Sequence, residues 1–103
     1  MFSRRERLPR AMFPATLSAG RRLSSAHFTA VSSEETRGYA VVVPKKVARL
    51  SVTRHRLRRR TTEALRGLSL PHALILFPKA SVLTLDPGSL RAELAALLSK
   101  IRR

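Results

Sequence analysis

Cysteine is absent from the 103 residues. That excludes a disulfide framework and a thiolate metal site. Acidic residues are scarce: six Asp and Glu stand against 21 Lys and Arg, for a net charge of +15. Such an excess favours an anionic partner and says nothing about fold. The acids Glu6, Glu34, Glu35, Glu63, Asp86 and Glu93 lie apart in unlike contexts. No carboxylate pair is therefore in view for general acid–base catalysis. His27, His55 and His72 are isolated, without metal-ligand spacing, and no Gly-rich loop follows a strand. The aromatics are four Phe and one Tyr. The longest apolar run, residues 73–77, suits a buried strand and is far short of the roughly 20 residues of a membrane span. Neither a membrane attachment nor a small-molecule substrate is expected.

What is abundant is positive charge, and it is concentrated. Residues 45–66 read KKVARLSVTRHRLRRRTTEALR and hold nine Lys or Arg against one acid, Glu63. Nothing between Ala48 and Arg66 breaks a helix. On a wheel of about 3.6 residues per turn, Leu50, Leu57, Thr61, Ala64 and Leu65 share a narrow arc. Arg54 and Arg58 flank it, and His55, Arg56, Arg59 and Arg60 spread over the remainder. The pattern predicts a helix with a thin apolar seam for a sheet and a broad cationic face for water or an anion. Like charges at i, i+3 and i+4 repel by a few tenths of a kcal/mol per pair. Glu63 reaches only Arg59, Arg60 and Arg66, whereas a polyanion would relieve the whole face. Arginine suits phosphate because its planar fork donates two parallel hydrogen bonds and stays charged. Lys45 and Lys46, just before the helix, extend the same surface. A single-sign cluster of this kind is the footprint of nucleic-acid binding.

The residues carrying this charge also carry a resemblance. Lys45-Lys46, then Arg54-His55-Arg56-Leu57-Arg58-Arg59, then Thr62-Glu63-Ala64-Leu65-Arg66 resembles the protein component of bacterial ribonuclease P. That family has a Lys-Lys pair at a strand end, a helix with Arg-Asn-Arg-X-Lys-Arg, and a following Arg-Glu-X-Phe-Arg. His55 stands where the family usually has Asn, and Thr62 where it often has Arg. The resemblance extends over residues 7–101, where Phe13, Leu17 and Gly20 match the family's short first helix. It implies a catalytic RNA that cleaves precursor tRNA with bound Mg²⁺, assisted by the protein in the bacterial cytoplasm. No protein residue alone would hold the metal. Arg54, Arg56, Arg58 and Arg59 would hold phosphates of the ribonuclease P RNA, and His55 would add a base or sugar contact. Phe13, Leu17, Phe28 and Val31 would line a cleft between the first helix and the sheet for the single-stranded 5′ leader.

The rest of the chain predicts one small α+β domain over residues 9–103, preceded by a loose basic segment over residues 1–8. Pro9 and Pro14 interrupt the amphipathic helix that an Arg- and Ser-rich presequence would need. Pro14 fits a first helical turn, and Gly20 its end. Residues 21–31 alternate as a strand, residues 32–37 form a polar turn, and residues 39–43 suit a central strand. Residues 72–77 form a further buried strand, and residues 78–85 a connection. Asp86-Pro87 opens the last helix, whose Leu90, Leu94, Leu97, Leu98 and Ile101 make a core-facing stripe. The expectation is an α/β sandwich, about four strands with three helices. The family adds the order α-β-β-β-α-β-α and a left-handed crossover. Two rivals share the charge: a non-catalytic RNA-binding module such as a small ribosomal protein, and a DNA-binding protein. The second fits less well, because major-groove readers usually mix Asn, Gln or Ser among their arginines.

Overall fold

A computed structural model describes residues 6–101. The elements follow in the order α1 (Phe13–Ala19), β1 (Arg21–Ser24), β2 (Phe28–Ser33), β3 (Gly38–Val41), α2 (Ser51–Leu65), β4 (Ala73–Pro78) and α3 (Pro87–Ile101). This is the α-β-β-β-α-β-α order of a small α+β fold. One four-stranded mixed sheet runs β1-β2-β4-β3. β1 with β2 and β2 with β4 are antiparallel, while β3 lies parallel to β4. The β3–α2–β4 unit is thus a crossover between neighbouring parallel strands.

β4 shows how the layers are made. Successive strand side chains point to opposite faces. Leu74 and Leu76 join Phe28 and Ala30 in a core with Leu57, Ala64 and Leu65 of α2 and Leu90, Leu94, Leu97 and Leu98 of α3. Ile75 and Phe77 turn the other way, into a smaller cluster with Leu8, Val31 and Phe13. α2 and α3 therefore cover one face of the sheet, and α1 covers part of the other. Thr16 ties α1 down: its hydroxyl donates to the Met12 carbonyl at 2.8 Å and lies 2.6 Å from the Thr36 hydroxyl. Gly20 ends α1 in an extended conformation, with φ −76°. Its role is close approach, since an added Cβ would fall 2.3 Å from the Thr16 carbonyl oxygen.

Several expectations change. The strand expected over residues 21–31 is a hairpin of β1 and β2, with a turn at residues 25–27 where Ser25 N–H donates to the Phe28 carbonyl at 2.8 Å. The turn has no Gly, Pro or Asn to announce it. Ser32 and Ser33 belong to β2, paired with Leu74 and Ala73 and buried; the polar turn begins at residue 34. The strand expected to be central, β3, ends the strand order, and β4 is internal. β3 is apolar nonetheless because its outer edge is covered. Leu8 N–H donates to the Tyr39 carbonyl at 3.0 Å, and Tyr39 N–H to the Glu6 carbonyl at 2.7 Å. Of the segment 1–8 expected to be loose, residues 1–5 lie outside the described residues, and Leu8 is buried.

The last helix follows its sequence signals. Asp86 accepts hydrogen bonds from the Ser89 N–H at 3.1 Å and the Ser89 hydroxyl at 2.6 Å, which hold its carboxyl below the usual range. Leu90, Leu94, Leu97 and Leu98 are buried. On the same helix Glu93 grips the β1–β2 turn. Its carboxylate accepts from the Ser25 hydroxyl at 2.5 Å and the His27 N–H at 2.8 Å, and lies 2.7 Å from His27 Nδ1. Burial pushes the Glu93 carboxyl up, but the hydrogen bonds from Ser25 and His27 outweigh it and leave the carboxyl below its ordinary value.

A carboxyl depressed on folding stabilises above its unfolded value and loses that contribution as pH falls through the folded one. Glu93→Gln is expected to cost about 1–2 kcal/mol at neutral pH. The difference from wild type should shrink below about pH 4. Denaturant titrations at pH 7 and pH 3 check both. Leu57→Ala, at the centre of the α2 seam, should cost about 2–5 kcal/mol at either pH.

Candidate nucleic-acid interface

α2 is set on the sheet by Leu57, Thr61, Ala64 and Leu65, all buried. They recur at i, i+4, i+7 and i+8, one face of a helix. Thr61 is polar but satisfied, its hydroxyl donating to the Leu57 carbonyl at 2.8 Å. Leu50 does not join this seam. The helix begins at Ser51, and Leu50 sits before it with an extended backbone and 64% exposure. The cause is the turn ahead of it, where Val47 and Ala48 N–H both donate to the Pro44 carbonyl. At the other end Gly67 carries the chain out of the helix with φ +81°, a conformation that favours glycine.

The arginines divide into three groups by what they touch. Arg56 and Arg59 face outward with His55, all three exposed. The Arg59 guanidinium lies 3.5 Å from His55 Nε2. Arg54 and Arg60 are turned to the protein itself. Arg54 donates to the Ala48 carbonyl at 3.1 Å and the Arg49 carbonyl at 2.8 Å. Arg60 donates to the Leu83 carbonyl at 3.3 Å and the Leu85 carbonyl at 2.8 Å, bracing the turn before α3. Arg58 is half-buried on the flank toward α1. Lys45 and Lys46 are exposed in the turn leading to α2. The His27–Glu93 ion pair lies on other elements, and α2 carries a single acid, Glu63, among its arginines.

Arg58 also borders a cavity of about 240 Å³, lined by Arg7, Leu8, Phe13, Tyr39, Ala40, Val41 and Thr62 as well. Its lining includes Phe13 with the arginines Arg7 and Arg58, residue types that single-stranded nucleic acid uses for bases and phosphates, while Tyr39 borders it from β3 and packs against the α2–α3 core. The four residues expected to line a leader cleft are not brought together. Phe13 lines the cavity. Val31 packs in the same cluster but is 1% exposed, leaving it at the floor. Leu17 is 40% exposed on α1, one turn after Phe13, and does not line the cavity. Phe28 is wholly buried in the opposite layer, against α2 and α3. Their spacing held the reason: residues 28 and 31 of one strand are an odd number apart and face opposite ways. Arg7 carries no sequence signal for this place, because its proximity to Tyr39 depends on residues 6–8 pairing with β3; Tyr39 reads from the sequence as strand packing, and it packs against the main core.

A profile for the family described as ribonuclease P matches residues 2–102. This chain belongs to the ribonuclease P protein family. It is the protein subunit of a ribonucleoprotein endoribonuclease of tRNA processing, and RNA is its partner. Solved structures share the fold. The ribonuclease P protein of Thermotoga maritima superposes with a TM-score of 0.77 at 23% identity, over 94% of this chain and 98% of that one. The Staphylococcus aureus ribonuclease P protein gives 0.70 at 16% identity, over 92% and 94%. A mutant of the latter, described as defective in mRNA degradation activity, gives 0.76 at 16%, over 94% and 88%. No curated protein matches the sequence.

The three groups of arginines separate stability from binding. Arg56→Ala and Arg59→Ala should leave the melting temperature unchanged and flatten the slope of log affinity for RNA against log salt by about one each. Arg60→Ala should lower stability by about 1 kcal/mol, through its lost carbonyl bonds. Thermal melts and salt titrations on the same variants distinguish the two effects.

Proposed function

We propose that the ribonuclease P RNA docks on the outward face of α2 and that the 5′ leader of precursor tRNA enters the cavity beside it. The observation that carries this reading is the shared boundary of the two sites. Arg58 leaves the cationic face of α2 on one side and lines the Phe13–Tyr39 cavity on the other. A protein so arranged holds two RNA strands side by side. Arg56, Arg59, Lys45 and Lys46 would meet phosphates of the RNA subunit, with His55 beside them. Phe13 would stack on a leader base, and Arg7 and Arg58 would meet its phosphates.

In this reading the hydrolysis belongs to the RNA subunit, and the protein assists it. The His27–Glu93 pair lies on the β1–β2 turn and α3, which carry none of the arginines of residues 54–60, and it is spent on holding those elements together. Among the described residues no three His, Asp or Glu gather at metal-binding distance. In this reading the RNA subunit would hold the Mg²⁺, which would supply an activated water there. The protein's charge offsets repulsion between the catalytic RNA and its substrate, which Mg²⁺ would otherwise have to screen. Among the described residues no helix is long and apolar enough to cross a membrane, and the bacterial cytoplasm is the proposed setting.

At low Mg²⁺, leader removal by the cognate RNA should depend on this protein; equal rates with and without it would remove the reading. Phe13→Ala should lower affinity for precursor tRNA roughly tenfold while leaving mature tRNA unaffected. An equal loss for both would mean that Phe13 serves packing alone.

A further inference from the structure

The two most exposed large apolar side chains among the described residues lie two positions apart in the chain at the start of α2: Leu50 at 64% and Val52 at 62%. Neither placement is explained by folding. Val52 lies three, four and seven residues before His55, Arg56 and Arg59, so it shares their outward face. Leu50 follows Lys45, Lys46 and Arg49 in the turn that leads to the helix. A β-branched residue is also a poor choice for an exposed helical position on propensity alone. Along the chain the pair is flanked by the exposed cations Lys45, Lys46, Arg49 and Arg56.

The turn is held in place. Arg54 N–H donates to the Leu50 carbonyl at 3.1 Å, and the Arg54 guanidinium donates to the Ala48 and Arg49 carbonyls. Ala48 is itself buried. Leu50 therefore cannot fold back onto the seam it was expected to join, and it is presented to solvent from a fixed position.

We propose that Leu50 and Val52 form an apolar platform for an unpaired nucleobase of the RNA partner, and that Arg54 is the positioning residue that holds the platform. The proposal rests on the reading that RNA docks on α2. An unpaired nucleotide offers the matching chemistry: a flat apolar base whose neighbouring phosphates would meet Lys45, Lys46, Arg49 and Arg56. A second copy of this chain fits poorly, because it would bring the same positive charges against these.

The test is a salt titration of affinity for the cognate catalytic RNA, transcribed in vitro. It compares wild type, the double variant Leu50→Ser/Val52→Ser, Arg54→Ala, their combination, and Arg56→Ala. The double variant should bind roughly tenfold more weakly at every salt concentration, with the wild-type slope, because it loses a stacking contact and no phosphate contact. Its melting temperature should be unchanged, since both side chains are exposed. Arg54→Ala should weaken binding too, and the combined variant should lose less than the product of the two effects, as residues acting through one element do. Wild-type affinity in the double variant, beside a weakened Arg56→Ala, would overturn the platform and leave the RNA reading standing. Wild-type affinity in both would overturn the RNA reading itself. A flattened slope in the double variant, or wild-type protein that self-associates through this pair in sedimentation, would also overturn the platform.

Discussion

The narrow seam that fixes α2 to the sheet is the constraint on which the rest depends. Four side chains, Leu57, Thr61, Ala64 and Leu65, keep the helix in one rotational setting. With that setting fixed, every other position on α2 has a defined direction. His55, Arg56 and Arg59 point away from the protein, Arg58 points toward α1, and Arg60 points toward the turn before α3. Buried leucines each contribute a few kcal/mol, which outweighs the few tenths per pair that the crowded guanidinium groups cost one another. Folding thus tolerates the charge, and RNA benefits from it.

The same setting explains why similar residues do different work. Arg54 and Arg60 lie nearer the seam and reach backbone carbonyls, so they organise the turns at the two ends of the interface. Arg56 and Arg59 lie farthest from it and remain available. A run of arginines uniform in sequence is therefore a mixture of braces and exposed cations. The His27–Glu93–Ser25 network plays the equivalent part toward the β1 edge of the sheet, fastening the β1–β2 hairpin to α3.

Much of this was legible in the sequence. The α2 seam, the Asp86 cap and leucine stripe of α3, and the buried run of β4 each rest on local periodicity or capping chemistry, and each has its expected place. What was hidden depended on distant pairing. The β1–β2 turn lacks Gly, Pro and Asn and is held by Glu93, 66 residues away from His27. The edge position of β3 was masked because residues 6–8 cover it, making an outer strand as apolar as an inner one. Leu50 fitted the helical wheel, but the wheel could not show that the Pro44 turn and Arg54 delay the helix. Phe28 was misplaced although strand alternation alone separates it from Val31. The family resemblance supplied the order of elements and the partner, neither of which periodicity contains.

The central claim is that RNA lies against the outward face of α2, and the absence of native cysteine permits a direct measurement. A single reactive thiol introduced by Glu63→Cys, at an exposed position of that face, can carry an iron-based reagent that cuts nearby RNA. An Ala95→Cys variant, exposed on α3, provides the comparison. In the assembled complex, scission of the catalytic RNA should be strong from position 63 and absent from position 95. Cleavage from position 95 with none from position 63 would place the RNA on the other helix and contradict the account.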